Sequence, residues 1–180
     1  MVKHMAVIDI IVATVQAEFS GLQEVEQMTR ATVRMVVALA LGAVIGWDRE
    51  RRDAEAGLRT HMLVALGAAL FVLVPAEAGM GNDELSRIIQ GLVSGIGFLG
   101  AGAVLKRSNA GRIHGLTTAA SIWATAAVGM AAGLGREGTA LLATGFILLV
   151  LAWLRHIEIP KEDGRASKET ATKAGPESKH

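Results

Sequence analysis

A charge-free run of 18 residues, Ile88–Leu105, constrains the fold of this chain more than any other stretch. As an α-helix it is long enough to cross about 30 Å of hydrocarbon. Five of its residues are glycines, and each would destabilise a water-soluble helix by roughly 1 kcal/mol relative to alanine. In a bilayer, glycine instead lets two helix backbones approach closely. The run therefore predicts a central, tightly packed membrane helix, with Gln90 and Ser94 as its only polar side chains.

Part of this run, Gly95–Gly100, also spells the G-x-G-x-x-G pattern of dinucleotide-binding loops. That fingerprint needs a strand before it, a helix opening after it and an acidic residue about 20 positions further on. Here apolar residues of helical length lie on both sides, and the stretch that follows carries Arg112 and His114 but no acid. We therefore interpret these glycines as helix-packing residues.

The rest of the chain repeats the pattern of long apolar runs between short charged segments. Apolar residues make up 51% of the chain, the net charge is +1, and cysteine is absent. This composition gives no support to nucleic-acid binding and excludes disulfides and a thiol nucleophile within the chain. We expect an all-α membrane protein with a bundle of five transmembrane helices. The predicted spans are Val33–Trp47, Leu58–Val74, Ile88–Leu105, Leu116–Ala132 and Thr139–Leu154.

Two further segments flank the predicted membrane domain, residues 31–156. Residues 1–30 carry isoleucine and valine at helical spacing, which predicts an N-terminal amphipathic helix on the membrane surface. A cleaved signal peptide is the alternative, although Asp9 would lie inside its apolar core. Residues 157–180 have too little apolar surface to fold, so we expect a disordered cytoplasmic tail.

The placement of lysine and arginine predicts how the bundle is oriented. Three segments are basic: the connection between spans one and two, the connection between spans three and four, and the tail. The two opposite connections carry only Arg87 and Arg136. By the positive-inside rule the basic segments are cytoplasmic, which puts the N-terminus outside and the C-terminus inside.

Four motifs, Gly42–Glu50, Ala56–His61, Val93–Gly102 and Gly115–Trp123, follow one another along the predicted spans. In sequence, order and spacing they resemble the MgtC/SapB family of bacterial inner-membrane proteins. The chain differs from the family in having Asp48 where glutamate is usual. Longer relatives also carry a soluble ACT-like C-terminal domain, so we expect this chain to be a short form.

The resemblance implies a protein that supports survival under magnesium limitation and, in pathogens, growth inside macrophages. Relatives modulate the membrane ATP synthase and ion homeostasis, and the family has no established catalytic activity. We therefore expect an inner-membrane regulator without enzyme activity or cofactor. The alternative is a small dimeric transporter or channel for Mg²⁺ or protons. The expected partners are the lipid bilayer, a second copy of the chain (a dimer being favoured) and a membrane protein, but no nucleic acid.

Ten polar residues are candidates for a functional site, because ionisable groups at membrane depth usually serve a function. They are Asp48, Arg49, Arg59, Thr60, His61, Gln90, Ser94, Thr117, Thr118 and Ser121. We expect Asp48 to pair with Arg59, since a short loop joins their spans; the alternative is a set of solvated charges that anchors the topology. The amide and hydroxyl groups predict a polar pocket between spans three and four, or else plain interhelical hydrogen bonding. The carboxylates here are interleaved with arginines, which disfavours a dedicated Mg²⁺ site.

Seven glycines are predicted to mediate close contact between helices. They are Gly42, Gly46, Gly91, Gly95, Gly97, Gly100 and Gly102. Glycines four residues apart lie on one helix face, and a face of small residues lets another helix approach. These faces would contact either other helices of the bundle or a membrane partner.

Overall fold

A computed structural model describes residues 2–18, 25–105 and 115–153, and all regular secondary structure within them is α-helical. The helices are α1 (Val2–Glu18), α2 (Val25–Glu50), α3 (Leu58–Glu77), α4 (Asn82–Leu105), α5 (Leu116–Gly133) and α6 (Glu137–Trp153). The chain divides into two compact units after Leu148, and the helical bundle belongs to the first. Of the second unit, only the end of α6 is described.

Four of the described helices, α2 to α5, are long and apolar enough to cross a membrane. The all-helical membrane bundle expected from the sequence is thus confirmed. The described part of α6 has 17 residues. At about 1.5 Å per residue it reaches roughly 26 Å, against about 30 Å of hydrocarbon. The fifth span stays a prediction, because the chain beyond Trp153 lies outside the described residues.

Two of the spans begin earlier than their apolar runs predict. α2 begins at Val25 rather than Val33, and α4 begins at Asn82 rather than Ile88. The first turn of α4 holds two acidic residues, which interact favourably with the positive end of the helix dipole. Hydropathy marks where the hydrocarbon begins, whereas a helix can continue into the polar zone.

The N-terminal segment forms a helix, α1, but its apolar residues are not confined to one face. Ile10, Ile11 and Val12 are consecutive and all exposed. Successive helix residues point about 100° apart, so the apolar surface wraps around much of the helix. α1 therefore lacks the single apolar face that the sequence pattern predicts. The predicted disordered tail, residues 157–180, lies outside the described residues.

α3 and α5 form the centre of the bundle. Gly129 and Gly133 of α5 face Ala65 and Ala69 of α3 so closely that a Cβ on either glycine would overlap the opposite backbone. At Gly129 that Cβ would lie 2.8 Å from the Cα of Ala65 and closer still to its carbonyl oxygen. Small residues four apart on both helices thus bring the two backbones into contact, the packing that stabilises helix pairs in lipid.

α2 also packs against α3, through two of the predicted glycines. A Cβ on Gly42 would lie 2.8 Å from the Cβ of Ala65, and one on Gly46 would lie 2.7 Å from the Cα of Leu58. α3 therefore contacts both α2 and α5, and each contact depends on a pair of glycines four residues apart. This contact brings the end of α2 next to the start of α3.

The predicted central position of α4 is wrong, because α4 lies at the edge of the bundle. Of its described side chains only Ile96 and Gly100 are buried, and Gly100 makes an ordinary contact with Ala119 of α5. A Cβ on the remaining predicted glycines would meet nothing within 4 Å in the described chain: Gly91, Gly95, Gly97 and Gly102. A charge-free sequence indicates that a helix lies in lipid, but it does not indicate how many other helices pack around it.

Candidate functional site

Polar side chains, four of them buried, gather where α2 ends and where α3 and α5 begin. This polar cluster consists of Asp48, Arg49, Glu55, His61, Thr118 and Ser121. Two members, Asp48 and Arg49, lie at the end of α2, and two others, Thr118 and Ser121, lie in the first turns of α5. The glycine contacts with α3 bring these helices together. The cluster therefore exists only because α2, α3 and α5 pack so closely.

The loop 51–57 between α2 and α3 positions this cluster. Glu50, the last residue of α2, accepts a hydrogen bond from the backbone N–H of Leu58 at 2.7 Å. Its carboxylate thereby caps the first turn of α3, where negative charge is favoured. Asp53 has a φ of 51°, a left-handed backbone conformation that turns the chain after the end of α2. The hydrogen bond from Leu58 to Glu50 and the turn at Asp53 hold the start of α3 against the end of α2.

His61 of α3 is completely buried, with 0% of its surface exposed. Its Nδ1 lies 2.9 Å from the carbonyl oxygen of Gly57, and its Nε2 lies 3.2 Å from Oγ of Ser121 on α5. Because a carbonyl oxygen only accepts hydrogen bonds, Nδ1 carries a hydrogen in this arrangement. The ring links α3 to α5. The side chains of His61 and Ser121 are both enclosed by the bundle and do not face a cleft.

Thr118, in the first turn of α5, joins a buried cation to a carboxylate of the loop. Its Oγ1 accepts a hydrogen bond from Nη2 of Arg49 at 3.4 Å and donates one to Oε2 of Glu55 at 2.6 Å. Arg49 is only 9% exposed although it is next to the end of α2. Burying a charge is costly unless it is paired and hydrogen-bonded, and this network offsets part of that cost.

Two atoms of the cluster have no hydrogen-bond partner among the described residues. They are Nε of Arg49 and Oδ2 of Asp48, and both are buried. The first is a donor and the second an acceptor. Since most buried polar atoms in proteins are hydrogen-bonded, the cluster is incompletely satisfied by the chain's own groups.

The expected pairing of Asp48 with Arg59 is wrong. Asp48 instead accepts a hydrogen bond from Nη2 of Arg52 at 2.5 Å, and Arg59 is exposed. Arg52 lies four residues after Asp48, at the spacing that brings two side chains onto one helical face. The pair is largely enclosed, with 22% of Asp48 and 23% of Arg52 side chains exposed.

The structure brings together only some of the residues predicted for the site. Asp48, Arg49, His61, Thr118 and Ser121 belong to the polar cluster. The other five candidates are exposed: Arg59, Thr60, Gln90, Ser94 and Thr117. The predicted pocket between spans three and four therefore does not form from these residues, because Gln90 and Ser94 lie on the open side of α4.

Sequence reasoning missed Glu55, which supplies the carboxylate that Thr118 binds. Glu55 is one of several acidic residues in a charged segment, and no local pattern separates it from its neighbours. The pairing of a loop carboxylate with a hydroxyl in another helix depends on the tertiary fold. Within residues 2–18, 25–105 and 115–153, no group of three or more His, Asp or Glu side chains is arranged to hold a metal ion.

The polar cluster lies within a part of the chain that matches a known protein family. The sequence model of the MgtC family matches residues 35–159, more than half of the chain. The chain belongs to the MgtC family. The family that the four motifs indicate is thus confirmed, and the chain is a multi-pass membrane protein of this family.

Several relatives share this region. Protein SrpB of Synechococcus elongatus is 45% identical over 136 residues, which cover 69% of this chain and 75% of that protein. Protein MgtC of Salmonella typhimurium is 43% identical over 124 residues, covering 69% of this chain and 52% of that protein. Protein MgtC of Brucella abortus is 46% identical over 120 residues, covering 67% and 49%. The chain thus spans about half the length of these two MgtC proteins. No solved structure matches it.

The variant Asp48→Asn is expected to abolish function in this MgtC-family protein while leaving membrane insertion intact. It removes the charge that pairs with Arg52 but keeps the shape of the side chain, so the loss of stability should be only about 1 kcal/mol. Complementation of a deletion strain measures function, and membrane fractionation measures insertion. Asp83→Asn, an exposed carboxylate in the first turn of α4, is the control. Full activity of Asp48→Asn would remove Asp48 from the site.

Proposed function

We propose that this chain is a non-enzymatic regulator that adapts ion and energy homeostasis to low magnesium through helix–helix contact with a membrane protein. It would act in the bacterial inner membrane, with its N-terminus outside and its C-terminus in the cytoplasm. Membership of the MgtC family and the name of the MgtC relatives support the magnesium-related role. The membrane ATP synthase, which the family resemblance implies, is the first partner to test.

The observation that carries this proposal is the open glycine face of α4. The glycine pairs of α2 and α5 are filled by α3, whereas Gly91 and Gly95 have the same spacing and meet no atom of the described chain. Beside them lies an apolar groove of about 510 Å³ between α3 and α4, lined by residues such as Phe71 and Leu92. In lipid, a face of small residues next to a groove favours contact with another helix.

The geometry of the polar cluster also supports a regulator over an enzyme. His61 and Ser121 stand at hydrogen-bond distance, as a base and a nucleophile would, but both are buried among helices. The single hydroxyl hydrogen of Ser121 is donated to the carbonyl oxygen of Thr118 at 2.8 Å, not to the His61 ring. Nucleophilic catalysis needs a site in which a substrate atom can approach both groups. The pair is therefore best suited to holding α3 and α5 together.

The α4 face can be tested with Gly95→Leu. This change adds a bulky side chain where nothing lies within 4 Å, so the fold should be retained. We expect binding of the membrane partner to weaken by roughly tenfold or more, because the partner helix can no longer approach closely. Co-purification of the ATP synthase from cross-linked membranes and growth in low magnesium are the measurements.

Gly145→Leu on α6 is the matched control, since a Cβ there also meets nothing within 4 Å. It should leave both partner binding and growth unchanged. The proposal fails if Gly95→Leu retains the partner and supports growth. It also fails if reconstituted vesicles show selective flux of Mg²⁺ or protons that Gln90→Leu abolishes, because that result assigns the chain to the transporters.

A further inference from the structure

The first turn of α5 offers hydrogen-bond donors to an acidic group. Gly115, the residue before the helix, has a φ of +86° and no side chain that could cap the free backbone N–H groups. The start of a helix carries partial positive charge and is a ready site for an anion. The structure places one there: the Glu55 carboxylate accepts a hydrogen bond from the Thr118 hydroxyl at 2.6 Å.

A second, independent feature at this place is the unsatisfied guanidinium of Arg49. Among the described residues its Nε has no hydrogen-bond partner, and its Nη2 makes one long contact, of 3.4 Å, with Thr118. Nε–H and Nη2–H form one edge of the guanidinium, the edge that binds two oxygens of a carboxylate or phosphate at once. The side chain is more than nine-tenths buried, and the contact of Nη2 with Thr118 directs this edge toward the start of α5.

The charged groups around Arg49 become net positive when Glu55 is taken away. Asp48, Arg49, Arg52 and Glu55 together are neutral. Without Glu55, the remaining three carry one net positive charge. Glu55 belongs to the loop 51–57, outside the helices, and its side chain is exposed.

We propose that Arg49, the Thr118 hydroxyl and the first turn of α5 form a binding site for a phosphate group, and that Glu55 occupies it as an internal competitor. A phosphate has enough oxygens to accept from the Nε–Nη2 edge, from the hydroxyl and from the free N–H groups simultaneously. Binding displaces Glu55 and so releases the loop 51–57 from α5. This site is separate from the glycine face of α4.

The phosphate can come from a phospholipid headgroup or from solution. The site lies at the same end of α2 as Trp47, whose exposed ring has the Arg51 guanidinium 5.0 Å from its centroid. Tryptophan at a helix end is typical of the headgroup level of a membrane. The experiment therefore uses two probes: inorganic phosphate in solution, and phosphatidic acid in nanodiscs that otherwise contain phosphatidylcholine.

The test compares Glu55→Gln with Asp53→Asn. Both remove one negative charge from the same loop, but Asp53 is exposed and makes no contact with Thr118. We expect Glu55→Gln to bind at least one probe roughly tenfold more tightly than the unmodified chain, and Asp53→Asn to stay within about twofold of it. Isothermal titration calorimetry measures phosphate binding, and native mass spectrometry measures retained phosphatidic acid.

A second change identifies the binding edge. Adding Arg49→Lys to Glu55→Gln keeps the positive charge but removes the Nε–Nη2 edge, so the gain in phosphate affinity should be lost. A gain with inorganic phosphate assigns a soluble ligand, and a gain with phosphatidic acid alone assigns a headgroup.

Should Glu55→Gln fail to fold, Glu55→Asp has a side chain one methylene shorter that withdraws from Thr118, and it should give a smaller gain. Equal behaviour of Asp53→Asn and Glu55→Gln, a gain that survives Arg49→Lys, or no gain with either probe overturns the proposal.

Discussion

Gly129→Ala is expected to destabilise the bundle by about 1–3 kcal/mol, although it adds a single methyl group. The new Cβ would lie 2.8 Å from the Cα of Ala65 and would overlap its carbonyl oxygen. Both are backbone atoms, so no side chain can rotate away to make room, and α5 has to move away from α3. Reversible unfolding in mixed micelles with increasing SDS, followed by tryptophan fluorescence, measures the change.

Gly145→Ala is the control, because it makes the same change inside a helix where nothing lies within 4 Å. It should be neutral or slightly stabilising, since alanine is the better helix former. Equal unfolding of the two variants would show that α3 and α5 are not in backbone contact.

His61→Ala is expected to destabilise the protein by about 2–4 kcal/mol. The ring is completely buried, so its loss leaves a cavity and removes the hydrogen bonds to Gly57 and Ser121. Those bonds hold the first turn of α3 and connect α3 to α5. The same unfolding assay applies, and proteolysis of the loop 51–57 provides a second readout that should become faster.

Thr60→Ala is the matched control for His61→Ala, because Thr60 is the preceding residue and its side chain is exposed. It should change stability by no more than about 0.5 kcal/mol. If the two variants unfold alike, His61 does not join the two helices. His61→Gln, which keeps polar atoms in the site, should fall between the two variants.

The sequence predicts the helices of this chain better than their arrangement. Charge-free runs such as Ile88–Leu105 identify membrane helices because burying unpaired charges in hydrocarbon is costly. The same runs do not show which helix is central. Gly91 and Gly95 have the same spacing as Gly129 and Gly133, yet only the second pair meets α3. The difference lies in the partner helix, where alanines stand opposite the second pair.

The candidate site was partly predictable for a similar reason. His61 and Ser121 could be chosen because polar groups within apolar spans are rare, and the structure brings them within 3.2 Å of each other. The partner of Asp48 was misjudged because four-residue spacing along one helix competes with contact across a loop, and here the local pairing with Arg52 prevails. Glu55 could not be selected before the fold had placed it beside Thr118.

The glycine contacts between α3 and α5 also restrict how this molecule can move. Two backbones that touch along two turns cannot slide past each other without a clash at Gly129 or Gly133. The pair must therefore shift as one rigid body. α4 instead packs against α5 through side chains such as Ile96 and Ile122, and side chains can adjust where touching backbones cannot. A change in the relative positions of these helices would then be a movement of α4 against the rigid pair of α3 and α5.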